Sequence, residues 1–177
     1  MSKVLSKKNI VIFTIFAIIA IVFVFWQFGR QEDQGAVKSA QEQTKNRGEI
    51  VVYKDKYCSC CGAWAKKFKE KGYSIKEVEV KDMAKLKSDK GVPLELASCH
   101  TAVLDGKYFL EGHVPIESVL KLQKENPDIA GLAVPGMPTG VPGMPGRANF
   151  ETLQIYSFDK EGKQSVFEER KAREIEW

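Results

Sequence analysis

Net charge of one sign is nearly absent from most of this chain. Its 177 residues carry 27 Lys and Arg against 23 Asp and Glu. Three of the basic residues, Lys3, Lys7 and Lys8, lie in the first 26 positions, which leaves 24 against 23 over the rest. A surface so close to neutral has little field with which to hold a polyanion, so nucleic acid is excluded as a partner. Histidine is scarcer still, with two in the chain, and cysteine is limited to four. Three of those four, Cys58, Cys60 and Cys61, fall within four positions, a density unlike that of disulfides spread out to staple a small fold. Also missing is a small-x-small cleavage site after the first apolar stretch, and no cysteine follows that stretch closely enough to take a lipid.

That first stretch is long. Ile10 to Trp26 is apolar except for Thr14, and at ~1.5 Å per residue it reaches across a bilayer when Asn9, Gln27 and Phe28 sit at its edges. With Lys3, Lys7 and Lys8 held inside, everything from Phe28 onward lies outside the cytoplasm. The expected organisation is a cytoplasmic basic segment over 1–9 and a single transmembrane signal anchor over 10–28. A flexible linker over 29–48, a folded domain over 49–146 and a C-terminal extension over 147–177 follow. The membrane is then the inner (cytoplasmic) one, crossed once, with the domain in the periplasm or at the cell exterior. A cleaved signal peptide is the rival reading. Both put all four cysteines where thiols oxidise unless a metal or a redox partner holds them.

Within the domain, Ile50-Val51-Val52-Tyr53 is a β-branched and aromatic run suited to a buried strand. Ala63 to Lys71 then places Trp64, Ala65 and Phe68 at helical spacing and stops at Gly72. Ser74 to Val80 sets Ile75, Val78 and Val80 among charges as a second strand, which makes one parallel βαβ unit. Asp82 can cap a short helix over Met83 to Lys90. Asp105-Gly106 between Thr101–Leu104 and Lys107–Leu110 is a two-residue hairpin signal. Pro115 opens a helix with Ile116, Val119, Leu120 and Leu122 on one face. The order is β-α-β-α-β-β-α, an α/β fold. Beyond it, Val-Pro-Gly-Met-Pro occurs twice, from Val134 and from Val141, as a stiffened loop. Leu153–Phe158 and Ser165–Phe167 flank a turn signal for a hairpin, and the last ten residues are mostly charged and read as solvated.

Cys58 and Cys61 have C-x-x-C spacing between a strand and the N-terminus of a helix. Unpaired N–H groups and the macrodipole there favour thiolate over thiol, which serves either disulfide exchange or metal binding. Cys60 tips the balance, because a third adjacent thiol diverts an exchange disulfide but adds a ligand to a metal site. Cys99 precedes a strand that should lie beside the first, which brings it toward the cluster. Soft thiolates suit Cu(I) best and zinc second. His100 and His113 each end a predicted strand, where surface positions are the plain alternative to ligands. Met137 and Met144, in the Pro-Gly loop, are either soft donors or hydrophobic anchors.

Four ordered blocks carry a resemblance. They are Tyr57–Trp64, Gly91–Val103, Glu111–Pro115 and Gly131–Pro138, and together they resemble domain-of-unknown-function family 411, which includes CopG-type periplasmic copper-handling proteins. The resemblance implies a thioredoxin-like fold and a copper site with Cys58, Cys60, Cys61 and Cys99 as thiolate ligands. His100, His113, Met137 and Met144 fall in other blocks of the family and are candidates for additional metal ligands. It also implies that Cys99-His100-Thr101 stands where a thioredoxin-like protein carries a cis-proline and threonine. The expected function is an exported, membrane-tethered copper-binding protein, active in copper tolerance or trafficking with copper donor or acceptor proteins of the envelope. The alternative is an envelope oxidoreductase, thiol-disulfide or copper-dependent, with Cys58 as nucleophile and Cys61 as resolving thiol.

Overall fold

The computed structural model describes Phe23 and residues 47–176. The segments read as cytoplasmic, as anchor and as most of the linker lie outside the described residues, Phe23 apart. Among the described residues no helix is long and apolar enough to cross a membrane.

The β-branched run forms β1 (Glu49–Lys54), and the chain then turns on Asp55. Its carboxylate accepts from the Tyr57 N–H at 2.8 Å and its carbonyl from the Cys58 N–H at 3.1 Å. Helix α1 (Ser59–Glu70) starts four residues earlier than the spacing of Trp64, Ala65 and Phe68 predicts. Cys60 and Cys61 therefore lie in its first turn. Strand β2 (Ser74–Glu79) pairs parallel with β1. Helix α2 (Met83–Asp89) is capped by Asp82, which accepts from the Lys85 N–H at 2.9 Å. Strands β3 (Thr101–Leu104) and β4 (Tyr108–Gly112) form the hairpin. Asp105 and Gly106 have φ of 51° and 66° there, the left-handed pair that a two-residue turn of this hand requires.

Helix α3 (Ile116–Glu125) buries Ile116, Val119 and Leu122 as its pattern predicts. Leu120 lies at the rim of that face and is exposed, while Ser118 is buried in its stead. The helix is a crossover from β4 to a parallel partner, β5 (Gly131–Val134), which sequence periodicity does not reveal. Antiparallel β6 (Thr152–Phe158) and β7 (Gln164–Lys171) follow and complete one seven-stranded sheet of order β2-β1-β3-β4-β5-β6-β7. The fold is mixed α/β with three helices among the described residues. The charged C-terminal residues differ from the expectation of a solvated tail. β7 runs to Lys171, and Ile175 is buried in the main core.

Two apolar clusters hold the sheet. The larger joins Trp64 and Phe68 of α1, and Val119 and Leu122 of α3, to inward residues of the strands such as Ile50, Leu104, Leu110 and Leu132. The smaller includes Val92, Leu96, Ala133 and Phe158. Leu132 and Ala133 enter different clusters, as neighbours on a strand must when both faces of the sheet are covered. Gly131 is what lets β5 come close to β4. A Cβ built there would lie 2.3 Å from the Phe109 carbonyl oxygen, and backbone cannot retreat as a side chain can. Gly131→Ala is expected to destabilise the chain by about 3 kcal/mol, an overpacking cost. A denaturant midpoint equal to that of the parent would show that the strands accommodate the methyl group.

Candidate metal centre

Strand register brings the centre together. Tyr53 near the end of β1 pairs with Thr101 at the start of β3, and Thr101 pairs with Glu111 near the end of β4. The loop after β1, the residues before β3 and the residues after β4 therefore share one end of the sheet. Those positions carry the 58–61 cluster, Cys99-His100 and His113.

Cys58 is the N-cap of α1, and no side chain caps the helix. The open N–H groups and the positive end of the macrodipole face this corner, which stabilises sulfur as thiolate. Cys58 and Cys61 are joined by a disulfide, with Cα atoms 5.4 Å apart. Cys61 is 0% exposed and Cys58 is half-buried, so the two ends of the bond differ in access. Cys60 and Cys99 are free. Cys60 Sγ lies 3.6 Å from Cys58 Sγ. The sulfurs of all four cysteines lie within 4.8 Å of one another.

A second donor group shares Cys99. Its Sγ is 3.3 Å from His100 Nδ1 and 3.1 Å from His113 Nε2, and donor atoms of the three residues again fall within 4.8 Å. Both histidines are fully buried, not surface residues at strand ends. Burial first, then His113 and Lys87, holds the His100 imidazole well below its ordinary value of 6.5. Burial lowers His113 too, against the opposing pull of the Pro142 carbonyl. Both rings are thus kept neutral, the form that can donate a lone pair to a metal. Burial and then the neighbouring Cys60 push the Cys99 thiol up to about 11. In the metal-free chain Cys99 keeps its proton, which a bound metal would have to displace. His100 packs tilted against Trp64 with centroids 4.7 Å apart, and its buried Nε2 has no hydrogen-bond partner among the described residues. Trp64 is itself held by its indole N–H, which donates to the Val114 carbonyl at 3.0 Å.

Behind Cys99 lies a polar group that sequence reasoning misses. Glu111 is 0% exposed and accepts from the Ser98 N–H at 2.6 Å, from the Thr101 hydroxyl at 2.6 Å and from Lys87. Lys87 Nζ also donates to Thr101 Oγ1 at 3.0 Å. A glutamate in a strand and a lysine in a short helix carry no signal of such a pairing. The structure separates the two loop methionines. Met137 is 59% exposed, one residue beyond Gly136, whose carbonyl accepts from the Ser98 hydroxyl at 2.6 Å. Met144 packs against the main core as an anchor.

The donors fit a soft metal ion. Thiolate sulfur with neutral imidazole nitrogen is the ligand chemistry of copper and zinc, and a partnerless buried ring nitrogen stands beside them. While the disulfide is closed, the free donors are Cys60, Cys99, His100 and His113. Adding two electrons to the Cys58–Cys61 bond yields two further thiolates, each able to take up a proton.

Comparison with known proteins agrees with this chemistry. Residues 96–144 match a family model described as "Protein of unknown function, DUF411". No curated protein matches the chain. Among solved structures the chain is similar to "Copper resistance protein copG" in two forms. Form 2 is 41% identical, with a TM-score of 0.64 over 71% of this chain and 99% of that chain. Form 1 is 40% identical, with the same TM-score and the same shares of both chains.

Proposed function

The chain belongs to the DUF411 family of CopG-type proteins, and from that premise we propose that it binds copper as Cu(I) in copper tolerance or trafficking. It does so as an exported protein, tethered to the inner membrane by residues 10–28, and exchanges copper with donor or acceptor proteins of the envelope. The observation that carries the reading is the convergence of a four-cysteine group and a Cys99-His100-His113 group on one shared sulfur. Cys58, Cys60, Cys61 and Cys99 would hold the metal as thiolates when reduced, with His113 through Nε2 and His100 beside them. Bound Cu(I) would hold those thiolates against oxidation. A thioredoxin-like core for residues 49–146 is favoured by the β2-β1-β3-β4 order, with β2 parallel and β3 antiparallel to β1.

The closed Cys58–Cys61 bond favours a second reading, thiol–disulfide exchange. An incoming thiolate would bond to the accessible Cys58 sulfur, and the buried Cys61 would leave as thiolate. A second substrate thiol would then release Cys58 and leave the substrate oxidised by two electrons. Against it stands Cys60, near enough to Cys58 to intercept the mixed disulfide.

The two readings part on metal uptake. The reduced full-length chain, loaded anaerobically, is expected to bind Cu(I) stoichiometrically and to prefer it over Zn(II). Cys60→Ser should weaken that binding. Stoichiometric zinc with no copper preference would make the centre a zinc site. Exchange activity that survives Cys60→Ser, with no stoichiometric copper, would leave the exchange reading standing alone.

A further inference from the structure

The pentapeptide Val-Pro-Gly-Met-Pro occurs twice, and its two copies do different work. Gly136 and Gly143, the central residues, have nearly the same backbone, with φ of 73° and 81°. Their surroundings have nothing in common. A Cβ built on Gly136 meets nothing within 4 Å. One built on Gly143 would lie 2.6 Å from the Cys60 carbonyl oxygen, 2.6 Å from the Trp64 nitrogen and 3.0 Å from the Trp64 Cα. The second copy therefore lies flat on the turn of α1 that bears the cysteines. It is held closed by Gly140 N–H donating to the Met144 carbonyl at 2.8 Å and Met144 N–H donating to the Val141 carbonyl at 2.9 Å. Val141 is fully buried beneath it.

From that position the Pro142 carbonyl accepts from His113 Nδ1 at 2.8 Å. A carbonyl oxygen can only accept, so the proton of the neutral ring resides on Nδ1. Nε2 is left bare, 3.1 Å from Cys99 Sγ. Metal-bound histidines are commonly fixed in this way by a carbonyl on the far ring nitrogen. The Pro142 carbonyl and the Gly143 nitrogen belong to one peptide plane, so whatever lifts Gly143 off the helix carries the carbonyl away from His113.

Building on the copper-binding reading, we propose that the second repeat is a strap of the centre and the first is not. The Pro142 carbonyl is the positioning group that presents His113 Nε2 to the metal, and Gly143 is the residue whose missing side chain permits it. The test uses the reduced, metal-free full-length chain with nitrogen-15 histidine, in which long-range proton–nitrogen spectra report which ring nitrogen of His113 carries the proton. The parent chain and Gly136→Ala are expected to show it on Nδ1. Gly143→Ala should shift the population toward Nε2–H and weaken Cu(I) binding by about ten- to hundredfold, whereas Gly136→Ala keeps the parent affinity. Because both glycines have positive φ, Gly136→Ala controls for backbone strain alone.

A parent chain with the proton on Nε2 overturns the proposal even where Gly143→Ala fails to fold. So does a Gly143→Ala chain that keeps both tautomer and affinity, or a Gly136→Ala chain that loses as much as Gly143→Ala. A parent chain that takes up no Cu(I) sinks the copper reading instead, and the tautomer result still decides whether the strap sets the ring.

Discussion

Cys99→Ser is expected to lower the Cu(I) affinity of the reduced full-length chain by more than the roughly ten- to hundredfold that follows loss of an outer partner. It should cost more than Cys60→Ser, because Cys99 is the one residue common to both donor groups. The oxygen of serine is a harder and poorer donor to Cu(I) than thiolate sulfur. The contrast should widen when the Cys58–Cys61 disulfide is closed, since Cys99 is then one of only two free thiols among the described residues. Competition with a chromogenic Cu(I) chelator, run on reduced and on disulfide-closed protein, provides the measurement. Equal losses from Cys60→Ser and Cys99→Ser in both states would mean that the imidazoles next to Cys99 take no part.

The second large effect concerns stability. Glu111→Leu removes a buried carboxylate and leaves the Lys87 ammonium, the Ser98 N–H and the Thr101 hydroxyl without their acceptor. Breaking a buried pair from one side costs about 3–5 kcal/mol, whereas replacing both partners with apolar groups is often close to neutral. The single variant should therefore unfold roughly 10–20 °C lower. The Lys87→Met and Glu111→Leu double variant should recover only the part due to the stranded ammonium, because the Ser98 N–H and the Thr101 hydroxyl still lack their acceptor. Ser98 adjoins Cys99, so the single variant should also weaken copper binding. A Glu111→Leu chain with unchanged thermal unfolding would show that water reaches and replaces the carboxylate.

Some of this was legible in residue order. The cysteine cluster announced itself because three thiols in four positions have few structural uses, and Asp105-Gly106 specified its own turn. A β-branched and aromatic run placed β1 closely, and alternation placed β2. The start of α1 was obscured because Ser59, Cys60 and Cys61 are indifferent helix formers and Cys58 caps with no side-chain hydrogen bond. Strand β5 escaped because four residues buried on both faces leave no alternation to detect. For His100 and His113 residue order leaves a surface position and a ligand as equal alternatives, and burial against Trp64, the strap and each other is visible only in the fold. Lys87 and Glu111 were invisible for the same reason: each is ordinary in its own segment, and the pair exists only once α2 meets β4.

The sheet ends on β2 at one side and β7 at the other. Ser74, Lys76, Glu77 and Glu79 of β2 are exposed, as are Gln164, Ser165, Val166, Glu169 and Lys171 of β7. Polar and charged side chains along an open strand discourage it from templating another chain. Molecules crowded together are therefore expected to resist joining edge to edge, and the copper exchange proposed above would take place at the end of the sheet where the sulfurs lie.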